Sequence, residues 1–344
     1  MKVKVKDVAE MVGVSPTTVS LVLNKKPSRI SEATKNKILA IAQEMQYEEK
    51  QYSDMEEKIK IKTVGIVMPN CENMFYQTCV KGAEEALNNY GYEVFRCDVS
   101  ESPERCFKAI ENLHSKFVDG MIIIPPNGIN DDGNYDKMLQ YFNTSRVPMI
   151  LLERAVHSVF CDFVTGDNQS GAYVGTEYLI KEGHKKIGLI VGDKLAYVST
   201  RRIKGYKEAL EENGLEFNED FISYGDFTKE SGISAAKSLH EKGVTAIFAG
   251  NDLMAYGVYV YAVKNGIRIP EGLSLLGYDN TELCEMLPVK LSSIDQSAES
   301  MGKKAAEVIK NCMKTKYSLD EKKPKNYYFT PVLIERASVR KLGK

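Results

Sequence analysis

Two fold classes are expected in this chain: a small all-α head, and an α/β body of two doubly wound parallel-sheet subdomains. Three observations predict this. Apolar residues recur at helical spacing through residues 1–46. From residue 62 onward, short β-branched runs alternate with amphipathic stretches. Finally, Lys62-Thr63-Val64-Gly65-Ile66-Val67 is echoed by Lys186-Ile187-Gly188-Leu189-Ile190-Val191, and each segment opens a run of strand–helix units. A length of 344 residues suits two or three domains and is ample for cores that need no staples.

The head reads as three short helices. The first spans about 6–12, with Val8 and Val12 four apart on one face, and Gly13 breaks it. Ser15 is a good N-cap, and Pro16 fits the first helical position, where its missing N–H costs nothing. Val19, Val22 and Leu23 continue that second helix, and a polar loop of residues 24–29 ends it. Ser31 caps the third, in which Ile38, Ile41, Ala42 and Met45 recur at helical spacing. Val8, Val12, Val19 and Leu23 form the expected small core. Residues 48–60 have almost no apolar content and read as a linker, so the boundaries are 1–47, 48–61 and 62–344.

In the body, strands are expected at 63–68, 92–97, 120–124, 148–152, 187–191, 220–224, 246–249 and 273–277, with helices such as 78–90 and 200–213 between them. Such alternation implies right-handed crossovers and parallel sheets. One subdomain is placed at 62–164 plus 296–325 and the other at 165–292 plus 326–340. Ligands of such sheets sit at the carboxyl ends of the strands, so a cleft between the subdomains should be lined by residues that follow them.

Composition narrows the function classes. Hydrophobic residues are 43% and charged residues 27%, which is globular and excludes wholesale disorder. No apolar run approaches a membrane span, and the N-terminus offers no signal-peptide stretch, so a cytoplasmic location is expected, with no membrane partner. The seven cysteines include no C-x-x-C pair, and the four histidines have no ligand spacing; free thiols are expected, with no metal and no cofactor. The formal net charge is −1, yet residues 1–46 carry eight Lys/Arg against four acids and residues 47–60 three Lys against five acids. A basic head on a near-neutral body hints at a phosphate-binding module. Enzyme motifs are missing: there is no P-loop, no G-x-G-x-x-G after the first strand, no G-x-S-x-G and no H-E-x-x-H.

Two helices joined by a glycine turn, with a polar start to the second, make a helix-turn-helix pattern. The segments Asp7-Val8-Ala9, Gly13-Val14-Ser15, Thr18-Val19-Ser20 and Val22-Leu23-Asn24 make the pattern far more specific. They resemble the DNA-binding head of the LacI/GalR family of transcriptional regulators. The resemblance continues through Glu182-Gly183-His184, Arg202-Ile203-Lys204-Gly205-Tyr206, residues 251–257 (NDLMAYG), Ile269-Pro270, Leu276-Gly277-Tyr278-Asp279 and Glu335-Arg336-Ala337-Ser338. It implies a periplasmic-binding-protein-like body, closed around a small-molecule effector, and a homodimer that reads a near-palindromic operator in double-stranded DNA.

Within that resemblance the second helix lies in the major groove. Pro16, Thr17, Ser20 and Leu21 are its groove-facing candidates, while Thr18, Ser20, backbone N–H groups near Ser15, Asn24 and Lys25 suit phosphates. The bland reading of Ser15 is pure capping; Lys25, Lys26 and Arg29 are either a solvated loop or, within such a head, contacts to the DNA backbone. Relatives place an arginine where Leu21 stands; leucine reads only apolar features such as a thymine methyl. They also carry a hinge helix whose leucine wedges into the minor groove. Here the linker is acidic, so that insertion is expected to be absent or altered, with Tyr52 or Met55 as substitute wedges.

For the effector, Arg202, Asn251 and Asp279 offer a guanidinium, an amide and a carboxylate at strand ends, and Asn73, Phe75 and Glu153 add to the other wall. Such a set suits a carbohydrate; a purine or another non-sugar ligand is the alternative. Each residue also has a structural reading: Arg202 as a surface ion pair, Phe75 as core, Asp279 as a loop stabiliser and Asp252 as a helix cap. Arg202→Ala is expected to abolish effector binding without unfolding the protein. The combined reading is a repressor, not an enzyme; a solute-binding receptor sharing the body fold is the rival.

Overall fold

The computed structural model describes residues 3–23, 30–45, 47, 61–116, 118–131, 133–156, 161–194, 196–314 and 324–343. The chain divides into two units, Met1–Ile61 and Lys62–Lys344.

The head contains α1 (Val5–Val12), α2 (Pro16–Leu23) and α3 (Glu32–Glu44). Gly13 ends α1 in the left-handed region at φ 80°, its N–H donating to the Ala9 carbonyl at 3.0 Å, a conformation that glycine adopts without a Cβ penalty. Ser15 does cap α2: the Thr18 N–H donates to its Oγ at 3.2 Å, and the two hydroxyls meet at 2.9 Å. Ser31 caps α3 in the same way, through Thr34 N–H at 3.3 Å. Val8, Ala9, Val12, Val19, Val22, Ile38 and Ala42 form the core, with Leu23, Ile41 and Met45 packed against it. Replacing Ser15 by alanine is expected to cost about 1 kcal/mol of head stability. Amide exchange of α2 in the full chain checks this, about fivefold faster in the variant.

The body contains β1 (Lys62–Met68), α4 (Met74–Asn89), β2 (Tyr92–Asp98), α5 (Pro103–Ser115), β3 (Gly120–Ile123), α6 (Asn134–Thr144), β4 (Met149–Leu152) and β5 (Phe163–Gly166). Then follow α7 (Asn168–Lys181), β6 (Ile187–Val191), α8 (Tyr197–Glu212), β7 (Ile222–Tyr224), α9 (Lys229–Glu241), β8 (Ala246–Ala249), α10 (Asp252–Lys264) and β9 (Ser274–Asp279). The chain ends with α11 (Leu283–Met286), β10 (Ser292–Asp295), α12 (Ala298–Lys314), β11 (Asn326–Phe329) and β12 (Val332–Ile334).

Two six-stranded sheets result, in the orders β2-β1-β3-β4-β5-β11 and β7-β6-β8-β9-β10-β12. Every pairing is parallel except β10 with β12. The first five strands of each sheet repeat one topology, as the echoed segments, now β1 and β6, lead one to expect. Each sheet carries helices on both faces: α4 and α12, then α5 and α6, on the first; α9 and α10, then α7 and α8, on the second. The strand order reverses between β1 and β3 and between β6 and β8, which is where such sheets open a crevice.

The subdomain boundaries need correction. β5 runs to Gly166, and β11 pairs with it in parallel, Asn326 opposite Phe163 and Phe329 opposite Gly166. Residues 326–329, placed in the second subdomain from sequence, therefore close the edge of the first sheet. The chain passes between the lobes three times, near 167, 296 and 330. His184 is buried, its ring nitrogens meeting the Thr245 hydroxyl at 2.9 Å and the Arg340 carbonyl at 3.2 Å.

Candidate functional site

The ends of the strands bring one buried polar cluster together between the lobes. Glu153, directly after β4, is 3% exposed and sits at φ 66°. Arg154 follows, 5% exposed, its guanidinium gripped by Glu101 at 2.9 and 3.1 Å and by the Pro125 carbonyl at 3.1 Å. From the second lobe, Asp279 ends β9 at φ 104° and accepts from Gln296 Nε2 at 2.7 Å. Arg202 of α8 donates to Asn168 Oδ1 at 2.8 Å and to the Gly250 carbonyl, and lies 3.8 Å over the Tyr278 ring.

Two aromatic rings face the cluster, Tyr76 from α4 and Phe227 from the loop after β7. The Arg154 guanidinium carbon lies 5.3 Å from the first ring centre and 5.6 Å from the second. Phe227 has φ 67°, an outlier for so bulky a residue, and its ring occupies space that a Cβ on Gly192 would enter at 2.0 Å. Glu101, Glu153, Phe227 and Asp279 are all in the left-handed region. Strained backbone of this kind persists where the surroundings over-determine it, and it concentrates at functional sites.

The electrostatics are tense. Burial pushes the Glu153 and Asp279 carboxyls up from their ordinary values, and Arg202 opposes both shifts. Burial also pushes the Tyr76 phenol up, Arg154 opposing. Glu153 Oε2, Arg154 Nε and Gln296 Oε1 are buried without a hydrogen-bond partner. At the mouth of the cleft a cavity of about 20 Å³, lined by Asn127, Asp131, Arg154, Asp193, Ala196 and Tyr197, has room for about one water.

Several sequence assignments change. Phe75 is not a stacking group of the cleft: it is 2% exposed in the core of the first lobe, edge-on to Tyr76 at 5.7 Å. The helical turn simply puts its neighbour on the open face. Asn73 caps α4, its Oδ1 accepting from Phe75 N–H at 3.0 Å. Asn251, and not Asp252, caps α10: its Oδ1 accepts from Met254 N–H at 2.8 Å and its amide donates to the Phe227 carbonyl at 3.1 Å. That commits the side chain to structure. Asp252 is buried one position inside, holding Thr281 and Ser293. Glu153, Arg202 and Asp279 do lie in one cluster, but Arg202 is no surface ion pair. Tyr76, Arg154, Phe227 and Gln296 were missed. Arg154 and Phe227 follow strands, which is a usable signal, but a Glu-Arg pair reads as a solvated turn.

On the head, Pro16 and Thr17 are exposed at the start of α2, and Ser20 and Leu21 are half-buried along it. Ser15 and Thr18 are occupied with each other. The candidates Asn24, Lys25 and Arg29, like the hinge candidates Tyr52 and Met55, lie outside the described residues. Among the described residues no cluster of His, Cys, Asp and Glu could hold a metal ion, and no helix is long and apolar enough to cross a membrane.

Comparison with known proteins places these features. A family model described as bacterial regulatory proteins, lacI family, matches residues 4–49. A second, described as periplasmic binding proteins and sugar binding domain of LacI family, matches residues 61–331. The HTH-type transcriptional repressor PurR of Photobacterium profundum is 31% identical over 341 residues, covering 98% of this chain and 99% of the relative. PurR of Actinobacillus pleuropneumoniae serotype 3 is 30% identical over 342 residues, covering 99% of each. Among solved structures, a transcriptional regulator CelR–cellobiose complex aligns with TM-score 0.71 at 27% identity over 98% of this chain and 100% of that one. A LacI family regulator from Enterococcus faecium with bound ribose aligns with TM-score 0.72 at 26% identity over 82% of this chain and 100% of that one. The lac repressor dimer bound to operator, at 24% identity and TM-score 0.71 over 99% of this chain and 100% of that one, shares the fold. With both its parts matched and its relatives repressors, not enzymes, the chain belongs to the LacI family of DNA-binding transcriptional repressors.

Proposed function

We propose that this repressor works as a homodimer on a near-palindromic operator, and that a small molecule held between the two lobes sets its affinity. The observation that carries the second half is a set of buried polar atoms without hydrogen bonds inside one cleft, Gln296 Oε1 and the long ion pair of Glu153 Oε2 with Arg154 Nε at 3.7 Å. An unsatisfied buried group costs about 1–3 kcal/mol, and a ligand that meets it removes that cost. A dimer is supported by the small reach of one head, since paired heads read two half-sites. Lobe closure would alter the spacing of the heads, so effector and operator are coupled in binding.

A carbohydrate is the first effector class: Arg202 and Asp279 suit hydroxyls, and two neighbours were solved with cellobiose and with ribose. A purine is the second, favoured by the flat guanidinium that lies against two aromatic rings. The test is selection of genomic fragments by the purified protein at two salt concentrations, repeated across a sugar and nucleobase panel. Recovery of one near-palindromic site, weakened by salt and shifted by one panel member, is expected. Sequence-independent recovery under every condition would remove the operator reading.

A further inference from the structure

The turn of the helix-turn-helix is tied to the third helix of the head. An α-helix leaves its last carbonyls without a donor of its own. In α1, Gly13 and Val14 both donate to the Ala9 carbonyl, at 3.0 and 3.1 Å, and the last turn carries no basic residue. Val12 is the final residue of α1, and the residue four positions on is Pro16, which has no N–H to offer. The donor comes instead from α3: Lys37 Nζ reaches the Val12 carbonyl at 3.3 Å, across 25 residues of sequence. Lys35, on the same helix, pairs with Glu32 at 2.6 Å and stays within it.

A cation at the carbonyl end of a helix also meets the negative pole of its dipole. The contact falls where the chain turns from α1 into α2, just before Val14, which packs on the head core, and Ser15, which caps α2. On the α3 side the lysine is rooted next to Ile38, fully buried in that core, so the tether starts from a fixed point. We infer that Lys37 is a positioning residue for DNA recognition. Through the Val12 carbonyl it sets the angle at which α2 presents Pro16, Thr17 and Leu21 to the major groove, instead of neutralising a phosphate as a lysine of a basic head ordinarily does. This rests on α2 being the groove helix. Reading base edges needs that angle, whereas holding any duplex by its phosphates does not.

Fluorescence anisotropy on the full-length protein tests this with two duplexes: the genomic fragment most enriched by wild type, and the same bases in shuffled order. Lys37→Met keeps the apolar stem and removes the donor. It is expected to weaken the enriched fragment by about fivefold or more, the effect of one lost hydrogen bond per head. Affinity for the shuffled duplex should not change, nor should the slope of log affinity against log salt for either. Lys37→Arg, whose guanidinium also reaches a carbonyl, should bind the enriched fragment within about twofold of wild type. A loss on both duplexes, with a slope shallower by about one per head, is the signature of a phosphate contact and overturns the inference. Unchanged affinity of Lys37→Met for the enriched fragment overturns it too. Amide exchange separates positioning from folding. Gly13 and Val14 should exchange faster in Lys37→Met, with the amides of α3 unchanged. Faster exchange throughout the three helices would make Lys37 a residue of head stability, and equal exchange in the turn would mean no tether; either result defeats the inference. Should the selection enrich no fragment, the operator reading fails on its own, and the turn amides of the free protein then decide this one.

Discussion

Replacing Arg202 by alanine is expected to abolish effector binding and, with it, to lower the melting temperature of the body by about 10 °C. The side chain is 3% exposed. It ties Asn168 at the start of α7 to the Gly250 carbonyl at the end of β8, and its flat face covers Tyr278. Alanine leaves both oxygens without a donor and removes the cation that opposes the upward shift of Asp279. Removing one partner of a buried charged network costs about 3–5 kcal/mol, and each kcal/mol is about 2 °C in a body the size of Lys62–Lys344. Loss of binding with an unchanged melting temperature would return the residue to the purely ligand-facing role read from sequence. Lysine is not expected to rescue, because a point charge cannot reach Asn168 and Gly250 together while stacking on a ring.

A methyl group at Gly302 is expected to be more damaging than its size suggests. α4 and α12 cross with their backbones in contact: a Cβ at 302 would stand 1.9 Å from the Cys79 carbonyl oxygen, and one at Gly82 2.3 Å from the Glu299 carbonyl. The obstacles are backbone atoms, so no rotamer change relieves them. Gly302→Ala must push the helices apart and loosen Cys79, Ala83, Met301 and Ala305, all fully buried. Overpacking usually costs 1–3 kcal/mol, and about 3 kcal/mol or more is expected here. Chemical denaturation of the full chain checks it, with the midpoint lowered and the slope unchanged. A loss below about 1 kcal/mol would mean that the crossing is looser than the geometry requires.

The parts of this molecule legible in sequence are those set by local rules. Ser15, Ser31 and Gly13 announce the helix ends of the head, and the echo of Lys62-Thr63-Val64-Gly65 with Lys186-Ile187-Gly188-Leu189 announces two like sheets. Four strands escaped because their apolar content is short or broken. β10 opens with Ser292 and Ser293, both fully buried, and such polar residues sit in a sheet only because Arg336 N–H and Asp252 meet their hydroxyls. Those partners lie dozens of residues away. The site divided along the same line. Position after a strand located Glu153 and Asp279, but which of Phe75 and Tyr76 faces the cleft depends on helix phase against a sheet. Arg154 is buried by Glu101, Tyr76 and Phe227, three residues with no sequence proximity to it.

The threefold passage of the chain between the lobes shapes how the protein is made. The first sheet begins at residue 62 but is finished only by β11, and α4 is covered only by α12. A ribosome adding roughly 5–20 residues per second needs on the order of ten to forty seconds to travel from the end of α4 to the end of α12. Throughout that interval the nascent first lobe presents the apolar face of Cys79, Ala83 and Leu87 with nothing to cover it, whereas α7 and α8 of the second lobe emerge next to each other. The N-terminal lobe, first to be synthesised, therefore stays incomplete until the chain is almost finished, since β11 ends at Phe329 and β12 closes the second sheet at Ile334. A transcript truncated before α12 would yield a chain that chaperones hold, and not a working half.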